Sequence, residues 1–370
     1  MVLEFAKGGM AVRVFHVISG FENVGVETLI LRLVAKMPKD VEFHIVAHEA
    51  PVPSCADRFR ECGITVHFVP SRKKILHHQR VLYSLFKIYR PEVVHVHTTE
   101  WGALALSAAK KAGVPCRIQH SHAARREKSL LLRLAHTVFF AWARRAATDY
   151  FACGSDAART AFGKQYAKAR ILKNGIDVRD FSYREEWRLL KRKELNIDKD
   201  QTVVGMVARF SPQKNHERAL ALFGAYLKKD PTAVLLLVGD GPLRAATERL
   251  AGELLPRGSV RFLGVRTDVG ALYSAMDRFI LPSRFEGLPI TLVEATAAGL
   301  PAVVSSTVTR EADLCGIVAF ANTENEDDWV RALCTLLPDD RHAFAERVIA
   351  AGYALDISAK QLYDFYQLKK

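Results

Sequence analysis

Two carboxylates and two cations have the spacing of residues that could handle a phosphorylated ligand. Glu286 and Glu294 are separated by seven residues in the run Pro282-Ser283-Arg284-Phe285-Glu286-Gly287-Leu288-Pro289-Ile290-Thr291-Leu292-Val293-Glu294-Ala295. This run follows Phe279-Ile280-Leu281, a short apolar stretch that reads as a buried strand. It turns through Gly287 and Pro289 and enters an apolar helical pattern ending near Gly299-Leu300-Pro301. A loop between a strand and a helix presents free backbone N–H groups and the positive end of the helix dipole, where phosphate can sit. Glu294 lies about two turns inside the helical pattern. Its neighbours are Leu292, Val293, Ala295 and Ala297, and a carboxylate in such company is costly unless a partner holds it. Upstream, Val207-Ala208-Arg209-Phe210-Ser211-Pro212-Gln213-Lys214-Asn215 sets Arg209 at the end of a second strand pattern and Lys214 beyond a turn. A guanidinium offers a planar fork and an ammonium a point charge, and both suit phosphate oxygens. Gly239-Asp240-Gly241-Pro242 is a third turn after a strand, a common feature when taken alone.

Histidines are the other group that could do chemistry. Eleven of the thirteen fall before residue 180, among them the pairs His95/His97 and His120/His122. Such H-x-H pairs invite a metal reading. No carboxylates or thiols cluster beside them to complete a site. Strand alternation is also taken to send the two rings of a pair to opposite faces, so no metal site is expected.

The elements that must carry these residues form a repeating pattern. Strands are expected at Val12–Ile18, Phe43–Ala47, Thr65–Val69, Val93–Val96, Pro115–His120, Thr148–Cys153 and Ala169–Lys173. Segments that can be helices separate them, which implies a parallel sheet with right-handed crossovers. The pattern restarts at Val203–Ala208, Val234–Val238, Val260–Leu263, Phe279–Leu281 and Ala302–Ser305. The fold class is therefore α/β with two Rossmann-like domains, spanning 1–178 and 199–350. The charge-dense segment 179–200 is read as connector plus helix, and a C-terminal helix over 353–370 is expected to pack back on the first domain. Ligands on such sheets bind beyond the carboxyl ends of the strands.

The motif Glu286-Gly287-Leu288-Pro289-x-x-x-x-Glu294 resembles the E-x7-E motif of retaining glycosyltransferases of family 4, and other family signals follow in order over nearly the whole chain. The resemblance implies the GT-B architecture, in which two Rossmann-like domains have their sheets facing across a cleft. It implies that Glu286 contacts the donor sugar, that Glu294 holds the ribose hydroxyls, and that Arg209 and Lys214 bind the donor diphosphate. Gly239, Gly241, Gly287, Leu288 and Pro289 would complete the donor site. The family places a histidine near the donor sugar and acceptor after the strand at 115–120; His120 and His122 are the two candidates. Near the N-terminus the family has two adjacent glycines before an Ala-Glu. Here Gly25 and Glu27 remain and Val24 stands at the first glycine, so Gly25 is the candidate for the phosphate or acceptor loop. Lys173-Asn174-Gly175-Ile176-Asp177 matches the family's turn at the end of the first domain and adds Asn174. By the same resemblance the donor is a nucleotide-diphosphate sugar, with UDP the expected nucleotide. A lipid-linked or saccharide acceptor of bacterial polysaccharide assembly is implied. No Asp-x-Asp motif lies in a suitable loop, so neither a cofactor nor a catalytic metal is expected.

Composition agrees with a globular protein of more than one core: 370 residues, 49% apolar and 25% charged. No apolar run approaches the length of a membrane span, and Met1 to Met10 lack the basic-then-apolar order of a signal peptide. Six scattered cysteines in mostly apolar settings suggest buried, reduced thiols and a cytoplasmic setting. The charge is uneven. Residues 1–180 hold 28 Lys and Arg against 15 Asp and Glu, whereas residues 181–370 hold 25 of each. The basic half is expected to meet something anionic, such as the inner face of the plasma membrane, through Arg72-Lys73-Lys74 and the basic, apolar stretch from Arg125 to Arg145. Nucleic acid is disfavoured, because the basic stretches hold aliphatics and histidines in place of base-stacking aromatics. No G-x-G-x-x-G opens a helix, which counts against a dinucleotide oxidoreductase. An epimerising or inverting nucleotide-sugar enzyme of GT-B type is the nearer alternative; the E-x7-E spacing and the Arg209/Lys214 pair argue against it.

Overall fold

The structure, a computed structural model, describes residues 11–19, 25–48, 53–97, 102–122, 130–335 and 340–369. The chain divides into two compact units. The first comprises Met1–Gly175 with Leu355–Lys370, and the second Ile176–Ala354.

The first unit is built on a seven-stranded sheet ordered β3-β2-β1-β4-β5-β6-β7. Its strands are β1 Val12–Val17, β2 Val41–His48, β3 Thr65–Val69, β4 Val93–Val96, β5 Cys116–Ser121, β6 Asp149–Ala152 and β7 Arg170–Ile171. Every pairing is parallel. The β-branched runs are buried from both sides, as strands covered on two faces must be: Val93, Val94 and Val96 of β4 are fully inaccessible. Helix Leu355–Gln367 belongs to this unit. Its Leu362, Tyr363 and Tyr366 join the core with Val12, Val14 and Ile45, and the Tyr363 hydroxyl donates to Asp40 at 2.8 Å.

The second unit has a six-stranded, all-parallel sheet ordered β10-β9-β8-β11-β12-β13. Its strands are β8 Val203–Val207, β9 Val234–Val238, β10 Val260–Gly264, β11 Arg278–Leu281, β12 Ala302–Ser305 and β13 Val318–Ala321. Strand β13 is absent from the sequence reading, although Val318-Ala319-Phe320-Ala321 is a short apolar run opened by Gly316. Segment 179–200 is also more than a connector, because it belongs to the second unit. The Arg192 side chain is buried there, donating to the carbonyls of Asp198, Lys199 and Gln201 and pairing with Asp277 at 2.5 Å. Arg188 pairs with the other oxygen of Asp277 at 2.7 Å. These contacts tie the helix Glu185–Glu194 to the edge of β11, so it moves with the second sheet.

Both sheets reverse strand order after their first strand, between β1 and β4 and between β8 and β11. A crevice forms at such a point because the flanking crossovers leave in opposite directions.

Candidate active site

In the second unit the reversal point is where the charged residues gather. Arg209 stands exposed just past β8. The loop that follows is stitched to the loop after β11. Arg284 N–H donates to the Gln213 carbonyl at 2.9 Å. Gln213 Nε2 donates to the Phe285 carbonyl at 3.0 Å and to Glu286 at 3.3 Å. Asn215, in the left-handed region at φ 58°, donates to the Pro282 carbonyl at 3.2 Å. Lys214 Nζ reaches Glu286 Oε1 at 2.6 Å, with the Glu286 side chain 6% exposed. A pair this sheltered is held by geometry: loss of either partner strands the other charge.

The two glycines after β9 let this arrangement close. Gly239 and Gly241 have φ of 131° and 154°, and a Cβ on them would fall 2.2 Å from the Ala208 carbonyl oxygen and 2.5 Å from that of Phe210. The turn thus lies directly beneath the backbone that carries Arg209, with Phe210 N–H donating to the Asp240 carbonyl at 2.9 Å. Gly287, Leu288 and Pro289 lead into helix Ile290–Ala297, where Pro289 is the N-cap and Leu288 is buried. Glu294 is 6% exposed and accepts from the Tyr273 hydroxyl at 3.2 Å. The sequence reading leaves Glu294 to a ligand's ribose; the structure shows a protein donor beside it as well. His216, absent from the sequence reading, stacks on Phe210 with centroids 4.0 Å apart, and neither of its ring nitrogens has a hydrogen-bond partner. Burial pushes its pKa down to about 4. The roles of Gln213, Asn215, Tyr273 and His216 depend on contacts with chain distant in sequence, except for the motif position of Gln213 and Asn215 inside the lysine loop.

The first unit's reversal point carries histidines. The expectation that H-x-H rings point apart is overturned: successive strand residues alternate, so residues two apart share a face. His16 and His95 stand opposite each other in register on β1 and β4. With His97, His120 and His122 they form two hydrogen-bonded chains. In one, His16 Nδ1 meets His97 Nε2 at 2.8 Å and His97 Nδ1 meets His122 Nε2 at 2.8 Å. In the other, the Tyr366 hydroxyl meets His95 Nδ1 at 2.7 Å and His95 Nε2 meets His120 Nδ1 at 3.0 Å. Burial lowers every one of these imidazoles, His16 to about 3 and His122 to about 4, so all are neutral at pH 7. His120 and His122 therefore both belong to the cluster. One ring nitrogen each from His97, His120 and His122 lies within 4.8 Å of the others, as does one each from His16, His95 and His97.

Gly25 opens helix Gly25–Ala35, which follows β1, and Glu27 is buried in its first turn. Asn174 is buried after the edge strand β7, three places along the sheet from β4, and its Oδ1 has no hydrogen-bond partner. Val24, residues 98–101 and Arg125-Arg126-Glu127-Lys128 lie outside the described residues. The cysteines depart from expectation in part: Cys116 and Cys153 are buried, but Cys62 and Cys334 are exposed.

Comparison with known proteins decides the family. The chain is 34% identical over 311 residues to EpsF of Bacillus subtilis (strain 168), named as a glycosyltransferase, covering 81% of each chain. It belongs to the family 4-like glycosyltransferases of GT-B fold. Residues 188–354 match the family described as glycosyl transferases group 1, and residues 24–180 match glycosyltransferase family 4. A second relative is the UDP-Gal:alpha-D-GlcNAc-diphosphoundecaprenol alpha-1,3-galactosyltransferase of Escherichia coli, 30% identical over 61% of this chain and 60% of that one. Among solved structures, HepE of Anabaena in complex with UDP and glucose superposes with a TM-score of 0.78 at 16% identity, covering 96% of this chain and 98% of that one. WaaG, a glycosyltransferase involved in lipopolysaccharide biosynthesis, gives 0.69 at 19% identity, covering 95% and 99%. This chain is a glycosyltransferase acting in polysaccharide or glycolipid biosynthesis. Among the described residues, no helix is long and apolar enough to cross a membrane.

Proposed function

We propose that the chain is a retaining transferase that moves a sugar from a UDP-sugar to a lipid-linked or saccharide acceptor in cell-surface polysaccharide synthesis. The observation that carries this reading is the pair of half-buried Lys214 and buried Glu286 beside exposed Arg209 at the reversal point of the second sheet. Departure of the nucleoside diphosphate leaves positive character at the sugar carbon and negative charge on phosphate. Arg209, Lys214 and the N-terminal end of helix Ile290–Ala297 would oppose that negative charge without reorganising. Glu286, released from Lys214 when the diphosphate takes the ammonium, would accept from a sugar hydroxyl, and Glu294 from the ribose. Within the first unit, Gly25, Glu27 and Asn174 would serve the acceptor. Retention of configuration would follow from reaction on one face, the leaving phosphate taking the acceptor proton. No metal enters this transfer.

The UDP and diphospho-lipid parts of the proposal take support from the E. coli relative, named for UDP-Gal and a diphosphoundecaprenol acceptor, and from the HepE complexes with UDP and with UDP-glucose. A lipid-linked acceptor calls for a membrane surface, and two helices of the first unit suit one. Ile75, Leu76 and Ile88 on helix Ile75–Tyr89 are exposed, as are Val138 and Trp142 on helix Leu130–Ala146. Both helices pack on helix Gly102–Ala112. Lys73, Lys74 and Lys87 add positive charge beside the first of them. Apolar side chains rimmed by lysines favour an anionic lipid surface over nucleic acid.

The deciding experiment measures turnover against a panel of nucleotide sugars with a diphospho-polyprenyl saccharide acceptor, and reads the anomeric configuration of the product by NMR. Transfer from a UDP-sugar with the donor's configuration kept is expected; an inverted product or activity only with another nucleotide overturns that part. Flotation with anionic liposomes at low salt tests the membrane part, which fails if the protein stays in the soluble fraction.

A further inference from the structure

The histidine cluster of the first unit holds more imidazole than contact with one sugar requires. Five rings from β1, β4, β5 and the residues just past them form two adjacent hydrogen-bonded chains, His16–His97–His122 and His95–His120. His97 belongs to both three-ring groups whose nitrogens converge within 4.8 Å. His120 is 1% exposed, its Nδ1 is engaged by His95, and its Nε2 is buried with no hydrogen-bond partner. An unpartnered imidazole nitrogen in a dry setting is costly, and a cation would satisfy it.

We propose that His97, His120 and His122 bind one divalent transition-metal ion of the zinc class, with His16, His95 and Tyr366 holding the ligand rings in place. His120 would ligate through Nε2, steadied at Nδ1 by His95, which is in turn held by the Tyr366 hydroxyl. His97 would ligate through Nδ1 while its Nε2–H donates to His16 Nδ1. Ligating histidines elsewhere are fixed in this manner through the second ring nitrogen. Tetrahedral bonds of 2.0–2.1 Å place ligand nitrogens about 3.3 Å apart. The His97–His122 contact of 2.8 Å therefore opens by about half an ångström when the ion enters. Among the described residues three imidazoles converge, which leaves a fourth position for water or another ligand. With three nitrogen donors among the described residues, the set favours Zn2+, Cu2+, Ni2+ or Co2+ over Mg2+ and Ca2+, which require oxygen.

The site does not depend on the transferase reading, and its test uses neither donor nor acceptor. The full chain, without a histidine tag and stripped with EDTA, is titrated with ZnCl2 and MgCl2 by calorimetry, and separately with CoCl2 by absorption spectroscopy. One Zn2+ per chain at sub-micromolar Kd, no Mg2+ heat, and the intense visible cobalt absorption of a tetrahedral site are expected. His97→Gln and His120→Ala should each weaken Zn2+ by more than the about 10–100-fold that loss of an outer partner costs, and Tyr366→Phe should fall within that range. His77→Ala and His342→Ala, both at exposed positions, should change nothing. Circular dichroism checks that each variant is folded; the cobalt spectrum of the unmodified chain stands even where a variant is not. Binding weaker than about 10 µM, an octahedral cobalt spectrum, or Zn2+ affinity untouched by His97→Gln and His120→Ala in folded protein would overturn the proposal.

Discussion

The two sheets reverse strand order at the same relative place and furnish it with opposite chemistry. The second sheet's reversal point holds formal charge: Arg209, Lys214 and Glu286, with a lysine–carboxylate contact of 2.6 Å. The first sheet's holds neutral imidazoles whose protonation burial suppresses. A charged site is arranged to meet a polyanion and to respond when charge moves. A neutral, hydrogen-bonded one is arranged to meet hydroxyls or a ligand-seeking ion, and to lose its character when acidified. The same topology thus offers two crevices that different perturbations should disturb.

The largest effect is expected from the charged side. If Arg209 and Lys214 both meet the diphosphate, truncating either one removes about 2–4 kcal/mol of transition-state stabilisation, roughly thirty- to a thousandfold in kcat/KM. Turnover should fall as well as apparent affinity, because the interaction strengthens as the leaving group gains charge. Lys214→Arg should rescue poorly, since a guanidinium is wider than the ammonium that fits against Glu286. The double variant should fall short of the sum, both residues acting on one set of oxygens. Steady-state kinetics on the single and double variants checks this, with Glu286→Gln in the Lys214→Ala background to relieve the stranded carboxylate. Near-normal turnover in both singles would reduce the pair to a structural contact.

Acid should separate the two crevices next. A ring whose folded pKa is lowered takes up no proton in the native state between its folded value and about 6.5, while the unfolded chain does. Stability is thus fully present above pH 6.5 and is lost as pH falls toward 4, by about 2 kcal/mol at pH 5 for each ring such as His122, with a folded value of about 4. The first sheet has five rings at its reversal point whose protonation burial disfavours, and the second has His216. Hydrogen exchange at pH 7, 6 and 5 should therefore show protection of β4 and β5 falling faster than that of β8 and β11. Equal slopes would mean that the first unit's histidines accept protons without unfolding, and the contrast drawn above would fail.

How much of this was legible in the sequence follows the same division. Arg209, Lys214, Glu286 and Glu294 sit in two short runs, so local spacing and the family resemblance marked them, and short apolar runs marked twelve of the thirteen described strands. The short β13, Val318–Ala321, had no alternation or length to set it apart from a loop. The histidine cluster was visible as residues but not as a cluster. Its rings come from three strand ends up to 106 residues apart, between His16 and His122, and only strand order brings them together. A misjudged strand face then hid it. Gly239 and Gly241 were legible as a turn, but their reason was not, because it lies in the carbonyls of Ala208 and Phe210 about thirty residues earlier. Gly241→Ala puts that reason to measurement. With φ at 154° and a Cβ 2.5 Å from backbone, it should cost about 1–3 kcal/mol. It should weaken donor binding too, since the shifted strand end carries Arg209. Full stability with normal donor affinity would show that the turn is not what seats the cation.

The smallest expected effect tests whether Glu294 is a ligand residue or a satisfied core acid. Its Oε2 lies 3.2 Å from the Tyr273 hydroxyl, which also lies 3.1 Å from the Thr291 carbonyl. A single hydroxyl proton cannot serve both acceptors fully at once. A ribose hydroxyl donating to Glu294 would leave Tyr273 its backbone acceptor, so nucleotide binding should not require the tyrosine. Tyr273→Phe should then cost about 1 kcal/mol of stability, one neutral-to-charged hydrogen bond lost in a buried setting. UDP affinity by calorimetry should change less than about twofold, well under the tenfold that 1.4 kcal/mol represents. Glu294→Gln should do the reverse, weakening UDP about tenfold while the amide keeps its carbonyl oxygen toward Tyr273. The comparison is a crossed one: stability follows the tyrosine and affinity follows the glutamate. If both substitutions lower stability and neither moves UDP affinity, Glu294 is a core acid held within the protein, and the second sheet's crevice binds its ligand through Arg209, Lys214 and Glu286 without it.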